Sequence, residues 1–260
     1  HEQTRCALLV ERSDAAVRSR EGLPEKTEIL FGERPSEGVE VHENGVLYQV
    51  DVMNDHKTGF YIDQRDNRQL VAEMAKERRV LNMFCYTGGF SLAALKGGAK
   101  SVMSVDSSGD ALKIARQQMV LNKFSAERTS WLDADAFTTL SNLRNAKEKF
   151  DLIVLDPPKF APSVQHLDRA IKAYKEINRA ALQLLSPGGL LFTFSCSGAV
   201  SLEHFEQMLV NSVSEALAHM QDSQANFRIV RRLAAGLDHP VLASFAEGEY
   251  LKGLLVERVE

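Results

Sequence analysis

Two apolar runs in this chain stop abruptly at reactive side chains. FDLIVLD, residues 150–156, gives way to Pro157-Pro158-Lys159-Phe160, and LLFTFSCSG, residues 190–198, sets Cys196 between Ser195 and Ser197. Short apolar runs bounded by Pro, Gly or Ser read as buried strands. As neighbouring parallel strands they would bring a carboxylate and a thiol to one rim of one sheet, where open α/β sheets bind ligands. The consecutive prolines restrict the backbone and remove two amide donors, so the loop can hold the Asp156 carboxylate toward a planar base. An ordinary strand-ending turn would look the same.

Cys196 says more. A lone cysteine in an apolar run is ordinarily a small buried hydrophobe, which suits Cys85 and Cys6. Cys196 instead sits where a strand becomes a loop, between hydroxyls and before Gly198, a placement that suits a nucleophile. One reaction needs such a pair. Cytosine C5 is a poor nucleophile, but attack of a thiolate on C6 creates an enamine whose C5 can accept an electrophilic methyl group. Asp156 would hydrogen-bond the amino group or the protonated ring nitrogen as charge shifts. Lys159 or an ordered water could remove the C5 proton.

A second set of residues supplies the methyl donor's site. Phe84-Cys85-Tyr86-Thr87-Gly88-Gly89 ends an apolar run, and glycines at a strand-to-helix turn let the backbone approach a ligand. Alone, that pair reads equally as a tight loop. The next run ends at Asp106, eighteen positions beyond Gly88, where an acid can accept from a ribose diol. A third ends in Asp133-Ala134-Asp135-Ala136-Phe137, with Asp135 better placed than Asp133 to meet an adenine amino group. This order favours S-adenosylmethionine over a dinucleotide, because the turn lacks GxGxxG spacing, and over ATP, because no P-loop lysine follows it.

The elements that must position these groups alternate. DNRQLVAEMA reads as a helix with Leu70, Val71, Met74 and Ala75 on one face; strands VLNMFCYTGG, SVMSVD, SWLDADAF, FDLIVLD and LLFTFSC then alternate with helices after Phe90, over 110–122, over 168–185 and over 201–219. Repeated β-α order implies parallel strands with right-handed crossovers. FRIVRRLAA and YLKGLLVERV, with a long loop between them, predict a terminal antiparallel pair. The expected fold is α/β, a Rossmann-like, mostly parallel seven-stranded sheet. A strand-rich unit over residues 1–54 precedes a main domain over 55–260: strands at 7–10 and in EILFG flank a polar loop or short helix, and Asn44-Gly45 centres a hairpin over 39–52.

The 260 residues carry a net charge of −4, so no global basic field points to non-specific duplex binding, though a local RNA groove is compatible. Three scattered cysteines form neither a disulfide framework nor a metal site, and none is expected. No apolar run approaches ~18 residues, so the expectation is a reducing, cytoplasmic protein without membrane insertion. The first residue is His1, which suggests a tag remnant or a fragment.

ERSD at 11–14, HKTGFYIDQRDNR at 56–68, NMFCYTGGFS at 82–91, LDPPKF at 155–160, FSCSG at 194–198 and DHP at 238–240 together resemble the bacterial 23S ribosomal RNA cytosine-5 methyltransferases. The resemblance implies an RNA-binding PUA domain, which this sequence lacks, then a central α/β domain and a Rossmann-like domain. It implies Cys196 as nucleophile, Asp156 as catalytic aspartate, Asp106 on the ribose and Asp135 on the adenine. Tyr86, Thr87 and Gly88 would line the methionine side, and Phe60, Asp63, Gln64 and Arg65 would contribute to cofactor binding. Read without the family, Phe60 is an aromatic core residue. Lys159 and His239 are candidate RNA contacts, with Arg228, Arg231 and Arg232 on the same basic rim or simply on the surface. Expected partners are 23S rRNA or a large-subunit assembly intermediate, with a homodimer among the admissible assemblies. Methylation of another RNA nucleobase, or a non-catalytic RNA-binding or assembly role, are the competing readings.

Overall fold

The computed structural model describes residues 4–13, 17–35, 38–53, 59–161 and 164–259. Asp14 of ERSD, His56-Lys57-Thr58 and the expected boundary at 54/55 lie outside the described residues. The chain divides into two compact units, His1–Glu43 with Leu47–Tyr61, and Asn44–Val46 with Ile62–Glu260.

In the first unit β1 (Leu9–Ser13) pairs antiparallel with β2 (Lys26–Phe31), and a single helical turn, α1 (Val17–Arg20), lies between them in sequence. A second two-stranded sheet joins β3 (Val39–Glu43) to β4 (Val46–Val50). Asn44 and Gly45 both have positive φ, 50° and 76°, as the tight hairpin read from the sequence requires.

The second unit runs α2 (Arg65–Met74), β5 (Arg79–Met83), α3 (Gly89–Lys96), β6 (Ser101–Asp106), α4 (Gly109–Leu121), β7 (Thr129–Asp133), α5 (Ala136–Asn145), β8 (Phe150–Leu155), α6 (Leu167–Leu184), β9 (Leu185–Ser195), α7 (Leu202–Ala218), β10 (Asn226–Leu233) and β11 (Lys252–Val259). These strands form one seven-stranded sheet in the order β10-β11-β9-β8-β5-β6-β7. Pairs β5–β6, β6–β7, β5–β8 and β8–β9 are parallel, whereas β11 runs antiparallel to both β9 and β10. The expected mostly parallel sheet with an antiparallel end is therefore present. From β5 the chain builds outward to β7 on one side, then returns to add β8 and β9 on the other. That reversal puts a crevice beyond the carboxyl ends of β5 and β8, the place where doubly wound sheets take their ligands.

Burial follows strand position. Leu152, Ile153, Val154 and Leu155 of β8 and Leu191 and Phe192 of β9 are fully buried, because helices cover both faces of the central strands. Two elements depart from the sequence reading. Helix α5 has no strong apolar period; Thr138, Thr139, Ser141 and Asn142 make it a weak helix former, and the Asp135 side chain starts it by accepting from Thr138 N. Strand β9 begins at Leu185 rather than 190. Phe150 faces Leu185 but Leu152 faces Leu190, so Ser186-Pro187-Gly188-Gly189 is accommodated as an irregularity that apolar patterning does not reveal.

Candidate active site

The cofactor half of the crevice is built from backbone. After β5 the chain turns sharply through Phe84 and Tyr86, both left-handed at φ 58° and 48°, and through Gly88 at φ 85°. A left-handed non-glycine residue costs ~1–2 kcal/mol, so the surroundings must hold this turn in place. Cys85 N donates to Val105 O at 3.0 Å, Tyr86 N to Asp106 Oδ2 at 2.8 Å and Gly88 N to Cys85 O at 2.8 Å. Gly88 is required twice over: a Cβ there would also lie 3.1 Å from Ala115 Cβ and 3.2 Å from the Trp131 ring. The Asp106 carboxylate takes a second bond from Ser108 N at 2.9 Å. Each of its oxygens retains a further lone pair for a hydroxyl donor. Asp135 caps α5 through Oδ1, 2.8 Å from Thr138 N, and that backbone bond holds its carboxyl below the usual range. Cys85 is buried, and desolvation pushes its thiol well up, with the Asp106 charge adding to the effect; it is the inert core cysteine expected.

Across the crevice Asp156 immediately follows β8, and Cys196 immediately follows β9, the adjacent parallel strand. The carboxylate and the thiol thus share one rim. Cys196 Sγ lies 4.0 Å from Pro157 O. Its flanking serines are structural: Ser195 Oγ donates to the Tyr174 hydroxyl at 3.0 Å, Ser197 Oγ lies 3.2 Å from that hydroxyl, and Ala161 N donates to Ser197 Oγ at 3.3 Å. One buried tyrosine of α6 therefore ties the β9 turn to the loop after β8. Phe160 packs on the same ring at 4.8 Å between centroids.

Asp156 is held from a third direction. Gln64 Nε2 donates to Asp156 Oδ1 at 3.1 Å, and Gln64 Oε1 accepts from Asn67 Nδ2 at 2.7 Å. Beside it, the Asp63 carboxylate accepts from the Tyr250 hydroxyl at 2.6 Å. Burial, reinforced by the Asp63 charge, raises Asp156 to about 7, against the opposing Gln64 bond and Arg68 charge. Tyr250 is pushed up by burial and by its bond to Asp63. Asp63 Oδ1 is buried with no hydrogen-bond partner among the described residues. A buried carboxylate oxygen in that state fits a cationic donor, such as the ammonium of an amino-acid ligand.

The remaining expected residues divide. Arg65 pairs with Asp66 at 3.0 Å and Asp238 at 2.9 Å, and the His239 ring bonds Asp238 at 3.1 Å. His239 bonding and the Arg65 charge hold Asp238 below the usual carboxylate range. Gly236 N donates to Asp63 O at 3.0 Å, so the DHP loop clamps the start of α2. Lys159 is exposed on the rim beyond Pro158. Arg228 and Arg232 are spent on Glu257 and Glu206, which leaves the basic rim weaker than expected. Phe60 belongs to the first unit, where it packs on Tyr48 at 4.5 Å between centroids, the core role its residue type suggested. Tyr174, Tyr250, Lys252 and Arg68 escaped the sequence reading. Only Lys252 left a trace, as a charge opening the apolar run KGLLV. Among the described residues no cluster of His, Cys, Asp or Glu could hold a metal, and no helix is long and apolar enough to cross a membrane.

A doubly wound sheet closed by an antiparallel pair, with a glycine turn, an acid after the next strand and a DPP loop at the switch point, defines a class I methyltransferase. Comparison with known proteins agrees. The family described as S-adenosylmethionine-dependent methyltransferase matches residues 13–237. The ribosomal RNA large subunit methyltransferase I of Aeromonas hydrophila is 49% identical over 249 residues, 95% of this chain and 61% of that protein; its counterpart from Tolumonas auensis is 46% identical over 252 residues, 96% and 62%. This chain therefore spans about three fifths of the length of these curated relatives. A solved structure of a SAM-dependent methyltransferase from Streptococcus mutans superposes with a TM-score of 0.77 at 25% identity, over 89% of this chain and 58% of that one. The chain belongs to the S-adenosylmethionine-dependent methyltransferase family, and S-adenosylmethionine is its cofactor.

Proposed function

We propose that the protein methylates C5 of a cytosine in 23S ribosomal RNA through a covalent Cys196–C6 adduct. The observation that carries this reading is the convergence of Cys196 and Asp156 at adjacent strand ends, with the glycine turn of β5 on the other side of Asp156. The names of the relatives from Aeromonas and Tolumonas support the RNA class.

The residues fit the cofactor. Asp106 accepts from the ribose hydroxyls and Asp135 from the adenine amino group. The Tyr86-Thr87-Gly88 backbone lines the methionine portion, with Asp63 Oδ1 for its ammonium. Gln64 and Arg65 fix this wall, Gln64 through Asp156 and Arg65 through Asp238. When bound, S-adenosylmethionine supplies an electrophilic methyl group on a sulfonium.

The chain's own residues make C5 reactive. The Cys196 thiolate forms a bond to C6, the ring electrons shift so that C5 becomes the enamine carbon, and ring N3 takes a proton from Asp156. With its carboxyl raised to about 7, Asp156 is protonated in a large fraction of molecules near neutrality and can make that donation. Once C5 is substituted, its proton passes to a base, Lys159 or a water, the C6–S bond breaks with its electron pair returning to sulfur, and N3 returns its proton to Asp156. Lys159, exposed after Pro158, and His239, half-buried beside Asp238, are the proposed RNA contacts.

The test is incubation with methyl-labelled S-adenosylmethionine and unmodified large-subunit RNA, followed by nucleoside identification. Label in 5-methylcytidine, lost in Cys196→Ala, is expected. Label only in a purine, or parental methylation by Cys196→Ala, overturns the reading.

A further inference from the structure

Lys252 takes no part in the chemistry described above, yet its position is unusual for a lysine. It opens β11, is only 7% exposed, and stands directly opposite Ser195 in the β9–β11 pairing. Lysine is almost never buried to this degree without partners. Here Nζ donates to Ser197 O at 2.8 Å and to Tyr250 O at 2.7 Å. Those carbonyls take two of the three donors of an ammonium. The first belongs to the residue after Cys196, so the amine is fastened to the turn that presents the thiol. Burial pushes the Lys252 amine down, and the strongest charge opposing that shift is the one on Cys196.

The groups around the pair come from three elements. Glu249 and Tyr250 precede β11, Asp156 and Lys159 follow β8, and Tyr174 projects from α6. Tyr174 and Tyr250 are both pushed up, so they stay neutral through the range in which a thiol ionises. Lys159 carries the same sign as Lys252 and adds to its field, while Glu249 opposes it. Lys252 is the cation of this group that is both buried and bonded to the Cys196 turn.

We infer that Lys252 is a positioning residue for the nucleophile: its ammonium, anchored on the Ser197 and Tyr250 carbonyls, stabilises the Cys196 thiolate and fixes its direction beside Asp156. The inference rests on the reading of Cys196 as nucleophile. Ionisation releases the thiol proton to solvent, and the electron pair left on sulfur forms the bond to C6; Lys252 gains and loses nothing. A nearby opposite charge favours the charged form of a thiol, and loss of that charge raises its pKa.

The experiment follows iodoacetamide alkylation of Cys196 in the full chain by peptide mass spectrometry as a function of pH, which separates it from Cys6 and Cys85. In the parent protein the midpoint is expected below the ~8.5 of an ordinary cysteine. Lys252→Met is expected to raise it by about one unit, a roughly ten-fold slower alkylation near neutrality, with S-adenosylmethionine affinity unchanged. Lys252→Arg, which keeps the charge, is expected to recover most of the shift. A parental midpoint at or above ~8.5 overturns the inference whether or not the variants fold. So does a Lys252→Met protein that binds S-adenosylmethionine normally and keeps the parental midpoint, or a folded Lys252→Arg that titrates like Lys252→Met. The thiol titration is independent of methylation by Cys196→Ala, so failure of the nucleophile reading and failure of the Lys252 role give different results.

Discussion

The environment of Asp156 takes its carboxyl far from ordinary chemistry. Because burial and the Asp63 charge raise it to about 7, the acid form is the one the folded protein favours. Its folded value lies above its unfolded one, so protonated Asp156 supports the fold fully below about pH 4 and that support is lost as pH rises through about 7. Asp156→Asn cannot titrate. Its melting temperature relative to the parent is therefore expected to improve between about pH 4 and pH 8, and a flat difference by calorimetry would contradict the shift. In the proposed mechanism the same substitution also removes the proton donated to the base. Single-turnover methylation should fall ~10²-fold or more, and an inflection near pH 7 in the parental rate profile should vanish. An unchanged inflection in the variant would assign that titration to another group.

At the scale of elements, the site depends on two turns that are held by their neighbours. Tyr174 of α6 bonds both serines around Cys196, so Tyr174→Phe leaves two buried hydroxyls short of a partner, costing ~1–3 kcal/mol. The variant is expected to melt several degrees lower and to form the RNA adduct more slowly, while binding S-adenosylmethionine as the parent does; an adduct rate equal to the parent's would show that the turn holds itself. Gly88→Ala forces a Cβ into a left-handed position against Ala115 and Trp131. It is expected to cost ~1–2 kcal/mol and to weaken cofactor binding in titration calorimetry, and undiminished affinity would place the cofactor elsewhere. These elements differ in how far sequence revealed them. The strands at the site were legible because β8 and β9 are buried on both faces and read as apolar runs, and the β3–β4 hairpin because Asn44-Gly45 permits one turn geometry. Helix α5 was not, since its start depends on a cap rather than on an apolar stripe. The Asp63–Tyr250 bond was hidden because it joins residues 187 positions apart, through a loop with no period of its own. Cys196 and Asp156 stood out in the sequence because each interrupts an apolar run at its end; Tyr174 lies within the long helix α6, where a buried tyrosine looks like any other core residue.

Across the second unit the sheet divides the work. In the proposed reading, loops after β5, β6 and β7 carry the residues for the cofactor, while β8, β9 and the start of β11 carry those for the base, and the two groups meet at the β5–β8 reversal. A cavity of about 770 Å³ opens at the opposite end of the sheet, lined by Arg144, Lys149, Arg179 and Arg258. Those cations do not make it a rival site. Arg144 sits in the last turn of α5, where the helix dipole favours positive charge, Lys149 is bonded to Gln183 O at 2.7 Å, and Arg258 is bonded to Leu185 O and paired with Asp222. The division at the catalytic rim makes cofactor capture separable from base chemistry. S-adenosylmethionine at about a hundred times its dissociation constant should stabilise the parent by ~2.7 kcal/mol, a rise of ~5–10 °C for a unit of this size. Cys196→Ala should keep that rise in full, because the thiol lies on the base side. Asp106→Ala should lose most of it, because it removes both the ribose acceptor and the anchor of Tyr86 N. Differential scanning calorimetry of the three proteins with and without cofactor decides the matter. Loss of the shift in Cys196→Ala would mean that the two halves form one cooperative pocket, and an intact shift in Asp106→Ala would remove Asp106 from the cofactor site.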